Sequence, residues 1–275
     1  MTITADQRRQ VRALIITGMG LNCEVETAKA FEVCGATPVR VHVQDLLRDP
    51  TPMREAHILV LIGGFSFGDH LGAGVVFANR LRSHLEDELR AFVAAGKLVL
   101  GICNGFQTLT RLGLAPALDG QYLTPQVALT HNDQGTFRDA WVTLKCNPAS
   151  PCIWTRGIEL IPLPIRHGEG KLVTLDADTL DALEEQNLVA MRYADQSGET
   201  AREYPDNPNG STHAIAGICD PSGRVFGLMP HPEAYLSPYN HPHWTRQKIN
   251  NVLPDHGLGR RLFQNGVDFA STKLV

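Results

Sequence analysis

The chain has 275 residues, 43% of them hydrophobic and 20% charged, a composition that supports a sizeable core and excludes wholesale disorder. Its formal net charge of −4 and pI near 6.2 give it no bulk attraction for nucleic acid or an anionic membrane. No apolar run reaches the roughly 18 residues of a spanning helix, and the polar start MTITADQRRQ lacks the apolar core of a signal peptide, so a cytoplasmic protein is expected. The length reads as one domain over 1–275, with a core of about 11–235 and a C-terminal extension over 236–275.

In chain order, Arg12–Thr17 is an apolar run that predicts a buried strand. Glu24–Val33 follows with Val25, Ala28 and Phe31 at helical spacing and Gly35 as its stop. Pro38–Val43 and His57–Ile62 read as the next strands, the latter ending at Gly63-Gly64. Phe77, Leu81, Leu85, Leu89 and Phe92 form one apolar helical stripe that stops at Gly96. Lys97–Ile102 is a strand that runs straight into Cys103 and a helical stretch ending near Gly113.

Strands that are apolar throughout and alternate with helices predict an α/β fold: an open, mostly parallel sheet with helices on both faces. Right-handed crossovers gather the strand C-termini on one edge, so Gly63-Gly64 and Cys103 should face one crevice. From about Gly120 to Arg192, short strand-like runs and Pro-rich turns (Trp141–Leu144, Ile158–Leu163) predict an antiparallel section appended to the sheet. Gly198–Ser211 reads as a loop, and Ala214–Ile218 with Arg224–Met229 as a hairpin. The tail holds an unusual run, Ser237-Pro-Tyr-Asn-His-Pro-His-Trp244, expected to pack on this chain or on a partner.

Three segments carry candidate chemistry. Gly101-Ile-Cys103-Asn-Gly105 has the small–x–nucleophile–x–small form of a nucleophile elbow. Such a turn brings Cys103 out at a helix N-terminus, where free N–H groups favour negative charge and the Asn104 N–H can face an oxyanion. A buried cysteine at a tight turn is the bland alternative. His231-Pro-Glu233 places a base and a carboxylate two residues apart, on one face of an extended segment, with prolines limiting rearrangement. An isolated segment of this kind would read as a surface turn. Gly63-Gly-Phe-Ser-Phe-Gly-Asp69 lets backbone N–H groups approach a ligand and could supply a second oxyanion donor. There is no GxxxxGK phosphate loop, and the third glycine of a dinucleotide fingerprint is missing after Gly18-Met-Gly20.

The six cysteines (23, 34, 103, 146, 152 and 219) include no CxxC pair and read as reduced, mostly buried thiols. His241, His243 and Asp255 fit no helical ligand spacing, so no metal site is expected.

These segments, in this order, resemble the class I (triad) glutamine amidotransferases. Pro164-Ile-Arg-His-Gly-Glu-Gly170 and Asn207-Pro-Asn-Gly-Ser211 narrow the resemblance to the family of glutaminase components of phosphoribosylformylglycinamidine synthases, over about Ala13 to Tyr235. The resemblance implies a flavodoxin-like sheet and hydrolysis of L-glutamine to glutamate and ammonia. It implies Cys103 as nucleophile, His231 as base and Glu233 as orienter, with Gly63, Gly64, Phe65 and Asn104 at the oxyanion. Gln107, one helical turn beyond Cys103, is expected to line the glutamine pocket. The implied partners are an ATP- and magnesium-dependent formylglycinamidine ribonucleotide synthetase and a small accessory subunit; no cofactor is expected in this chain. Arg166-His167-Gly-Glu169-Gly, charged and in the irregular region, is expected to face the synthetase. Ala234, Phe67 and Gly72 stand where many members carry Arg, Tyr and Arg. The competing readings are a stand-alone cysteine hydrolase of small amides or peptides on the same fold, and a catalytically silent binding subunit.

Overall fold

In the computed structural model, which describes residues 3–275, a short helix, α1 (Ala5–Gln10), leads into β1 (Arg12–Thr17), whose centre from Ala13 to Ile16 is fully buried. The chain then forms α2 (Glu24–Val33), β2 (Thr37–His42), α3 (Val43–Arg48), α4 (Thr51–Glu55), β3 (Ile58–Leu61), α5 (Val75–Ala94), β4 (Leu98–Ile102) and α6 (Asn104–Leu112). The second half contributes β5 (Val127–Thr130), β6 (Arg138–Cys146), β7 (Leu160–His167), β8 (Lys171–Thr174), α7 (Ala177–Glu185), β9 (Val189–Ala194), β10 (Ile215–Cys219), β11 (Val225–Leu228), α8 (Trp244–Ile249) and α9 (Arg260–Lys273).

The main sheet has the order β2-β1-β3-β4-β11-β10-β9-β6-β7. β2, β1, β3, β4 and β11 are paired in parallel, and from β11 to β7 every pairing is antiparallel. All strands except β10 and β6 therefore run in one direction. β5 and β8 form a separate antiparallel pair. The expected antiparallel section is thus continuous with the main sheet through β6, β7, β9 and β10, while β5 and β8 stand apart from it.

The residues of the central strands are apolar because both faces are covered. α9 packs with α1 and α2, and α5 packs with α3, α4 and α6. Between α2 and α9, the Phe31 and Phe263 rings meet edge to face at 5.2 Å. The tail thus packs on this chain. Its ring cluster joins Trp141 to Tyr235 at 5.1 Å and to His241 at 4.7 Å.

Two differences from the predicted elements have local causes. Ala177–Glu185 is a helix, not a strand-like run, because Asp176 caps it, accepting from the Thr179 N–H at 2.8 Å, and Leu183 is buried beneath it. β2 ends at His42, whose ring accepts from the Gln44 N–H at 3.2 Å and starts α3 one residue early. No helix among the described residues is long and apolar enough to cross a membrane.

The register places the site. β3, β4 and β11 lie side by side, with Leu61 opposite Gly101 and Leu228 opposite Ile102. Their C-termini therefore release Gly63-Gly64, Cys103 and His231 at one sheet edge.

Candidate active site

Cys103 occupies the single residue between β4 and α6, with φ 51° and ψ −108°. A non-glycine residue at positive φ is strained, and such strain is kept where the surroundings over-determine it. Here the Cys103 N–H donates to the Leu228 carbonyl at 2.9 Å, tying the elbow to β11. Gly105 is what allows α6 to start so close to the sheet: a Cβ there would lie 1.9 Å from the Leu61 carbonyl oxygen. The Cys103 thiol donates to the Arg166 carbonyl at 3.5 Å.

His231 and Glu233 follow β11 as expected, and both are buried. The His231 Nδ1 and Glu233 Oε1 are 2.6 Å apart, and the His231 N–H donates to the Pro164 carbonyl at 2.8 Å. The Glu233 bond occupies Nδ1 and leaves Nε2 free of any hydrogen-bond partner among the described residues. Burial by itself pushes the imidazole pKa down. The Glu233 carboxylate, followed by the Cys103 and Cys23 sulfurs, outweighs burial and carries it well above the ordinary histidine value.

The Gly63–Asp69 loop leans on the turn after β1. The Phe65 N–H donates to the Gly20 carbonyl at 2.9 Å, and the Asn22 N–H to the Gly63 carbonyl at 3.3 Å. Phe65 N–H is therefore already engaged. The Gly64 and Asn104 N–H groups have no protein acceptor among the described residues. Gly64 holds φ 146°, and a Cβ there would lie 2.6 Å from the Leu21 Cα, so only glycine fits.

Side-chain amides lock these segments together. Asn104 Oδ1 accepts from the Ser66 N–H at 3.2 Å, while its Nδ2 donates to Gln107 Oε1 at 2.9 Å and Asp69 Oδ1 at 3.2 Å. Gln107 Nε2 donates to the Glu169 carbonyl at 2.6 Å. Gln107 thus ties α6 to the 164–170 segment and keeps a second N–H on its amide. The Asp69 carboxyl is held above the usual range, first by burial and then by the neighbouring Glu169.

The Arg166–Gly170 segment lines the site with its backbone. Arg166 is exposed, but its carbonyl covers Cys103, and His167 is buried. The segment is a wall of the site, because β7 ends there beside the His231 turn. Asn132 fixes the state of His167. Its Nδ2 donates to the Thr136 and His167 carbonyls, so its Oδ1 is the acceptor for both the Gly170 N–H and His167 Nδ1. The imidazole is neutral, with the proton on Nδ1; burial, aided by nearby His231, lowers its pKa to about 3. The Asn207–Ser211 segment backs this wall. Asn209 Nδ2 donates to the Gly170 carbonyl at 2.8 Å and to the Tyr193 hydroxyl at 3.1 Å, and Ser211 Oγ accepts from the Leu172 N–H at 3.0 Å.

A cysteine, a buried histidine and a carboxylate at the ends of adjacent parallel strands are the residue types that a nucleophile–base–orienter set requires. The model for the CobB/CobQ-like glutamine amidotransferase domain matches residues 10–270. The chain belongs to this glutamine amidotransferase family. Relatives similar over nearly their whole length include the phosphoribosylformylglycinamidine synthase subunit PurQ of Dehalococcoides mccartyi, 41% identical over 95% of this chain and 98% of that one. The subunit of the same name from Methanococcus maripaludis is 43% identical over 94% and 97%. A chain in the solved structure of PurLQS from Thermotoga maritima aligns with TM-score 0.68 and 30% identity, over 94% of this chain and 99% of that one.

Sequence reasoning passed over Cys23 in this glutamine amidotransferase. Its buried sulfur lies against the His231–Glu233 pair. No spacing signal could have found it, since the two segments meet only through the parallel order of β1, β3, β4 and β11. His241, His243 and Asp255 form no ligand cluster among the described residues.

Proposed function

We propose that this chain is the glutaminase subunit of a phosphoribosylformylglycinamidine synthase. It releases ammonia from L-glutamine for an ATP-dependent synthetase, which converts formylglycinamide ribonucleotide to formylglycinamidine ribonucleotide in purine biosynthesis. The similarity to PurQ subunits over almost the full length of both chains supports the pathway assignment. The buried His231–Glu233 pair at 2.6 Å, on the sheet edge that also presents Cys103, is the observation that carries the chemistry.

In this reading the Cys103 sulfur attacks the side-chain amide carbon of glutamine while His231 Nε2 takes the thiol proton. Glu233 holds the ring through Nδ1 and stabilises the imidazolium. The tetrahedral oxyanion lies between the Gly64 and Asn104 N–H groups. The C–N bond then breaks as His231 returns the proton to the leaving ammonia. Water, deprotonated by His231, hydrolyses the thioester and frees glutamate. Gly63 and Phe65 shape the loop that presents Gly64, and Gln107 holds Asn104 in place. The synthetase, with its ATP and magnesium, and a small accessory subunit are the partners, in the cytoplasm.

The test is glutamate release from glutamine by this chain alone and with its synthetase, ATP and the ribonucleotide. Strong stimulation by the partner supports a coupled amidotransferase; equal rates in both point to a stand-alone hydrolase. Cys103→Ala is expected to abolish glutamine-dependent synthesis and to leave ammonia-dependent synthesis by the complex intact. Continued use of glutamine by that variant overturns the assignment.

A further inference from the structure

Cys23 stands at the start of α2, next to the turn on which the Gly63–Asp69 loop rests. Its sulfur, one imidazole nitrogen of His231 and one oxygen of Glu233 all lie within 4.8 Å of one another, and all three residues are buried. Two of these side chains have spare capacity. Glu233 Oε2 and His231 Nε2 are buried without a hydrogen-bond partner among the described residues. Gly63 packs closely against two of these groups. A Cβ there would lie 3.0 Å from the Cys23 sulfur, 2.8 Å from His231 Cε1 and 3.4 Å from His231 Nδ1.

A thiol, an imidazole and a carboxylate within 4.8 Å of one another form a ligand set suited to a borderline-soft divalent cation, with a fourth coordination position left over. We propose that Cys23, His231 and Glu233 form an inhibitory binding site for a divalent cation of the zinc class. Binding takes the proton from the Cys23 thiol and forms a metal–thiolate bond; no electron moves. The bound cation fixes the imidazole and draws Glu233 onto the metal, so His231 no longer shuttles protons for Cys103. The nucleophile itself is not a ligand of this site. Sensitivity to zinc then resides in a residue outside the proposed triad.

The site is tested on the isolated full chain without glutamine, so the result does not depend on the proposed reaction. Zinc is titrated against a chromophoric chelator, and cobalt(II) is added in parallel to read thiolate-to-metal charge-transfer absorption. The expected result is one cation per chain, a charge-transfer band in the wild-type chain and in Cys103→Ser, and binding weaker by roughly ten-fold or more in Cys23→Ser, with the band lost. Stoichiometric uptake unchanged by Cys23→Ser overturns the proposal, as does uptake lost in Cys103→Ser alone, or no uptake by the wild-type chain. If Cys23→Ser does not fold, wild-type protein alkylated at Cys103 decides. Persistence of the cobalt band supports the site, and its loss overturns it.

Discussion

At the scale of single residues, the bond between His231 and Glu233 makes the plainest demand on chemistry. Glu233→Gln keeps the shape of the side chain and removes the largest of the contributions that together outweigh burial at the imidazole. It also allows the amide to present its N–H to Nδ1, which favours the wrong tautomer. Glutaminase kcat is expected to fall on the order of 10²–10⁴-fold, with little change in KM. A loss under about ten-fold would mean that Glu233 does not orient the base. His167 makes a different prediction, about stability. Its imidazole is neutral in the folded chain, with a pKa near 3, against an ordinary value of 6.5. Between these values the unfolded chain binds a proton that the folded chain refuses. Stability is therefore full above about pH 6.5 and is lost as pH falls, by about 1.4 kcal/mol per unit. Between pH 7.5 and 5 the loss from this one group is about 2 kcal/mol. Urea unfolding of His167→Gln should show a pH dependence shallower by that amount, and equal slopes would show that His167 protonates freely in the folded state.

At the scale of elements, the close contact of α6 with β3 is a stronger constraint than either element's own propensity. In Gly105→Ala the added methyl meets the Leu61 carbonyl at 1.9 Å, and backbone on both sides leaves it nowhere to go. The expected cost is about 3 kcal/mol, with Cys103 and Asn104 displaced and glutaminase lost. A soluble variant with normal kcat would show that the elbow tolerates a shift of the helix. The same contact explains what could be read in advance. β1, α2 and the stripe of α5 were legible because period and end signals coincide there, and both the Cys103 elbow and the His231-Pro-Glu233 turn were legible because glycine and proline punctuate them. The Arg166–Gly170 segment was read as synthetase-facing from its charges, and that reading gave no hint that its backbone also walls the site. Its role is carried by backbone carbonyls, at Arg166 toward Cys103 and at Glu169 toward Gln107, and a carbonyl leaves no trace in the residue type. The Asn207–Ser211 run was visible as a pattern, but its function of bracing Gly170 and Tyr193 required β8 and β9 to be placed. Cys23 was invisible for the same reason: its neighbour is 208 positions away in the chain and one strand-end away in space.

At the scale of the whole molecule, the C-terminal segment and the catalytic turn form one packed unit. α9 covers α2 through Phe263 and Phe31, and Asn265 Nδ2 donates to the Trp154 and Arg156 carbonyls at 2.9 Å. Immediately before α9, the Gly259 N–H donates to the Tyr235 carbonyl at 3.0 Å, and a Cβ on Gly259 would lie 2.0 Å from the Pro232 carbonyl oxygen. Pro232 joins His231 to Glu233, so the tail rests on the link between base and orienter. Two substitutions separate support of the fold from support of the site. Phe263→Ala removes a fully buried ring that packs on Phe31 and should cost about 3–5 kcal/mol in urea unfolding, with kcat of the surviving folded protein unchanged. Gly259→Ala introduces no backbone strain, since φ is −57° there; its effect is confined to the methyl that Pro232 must move away from. It should cost less stability than Phe263→Ala and yet lower glutaminase kcat more, because the displacement passes directly to the His231–Glu233 bond. If the two variants instead lose activity in proportion to stability, the tail supports the fold alone, and the geometry of the base and its orienter is set entirely by β11 and the Pro164 carbonyl.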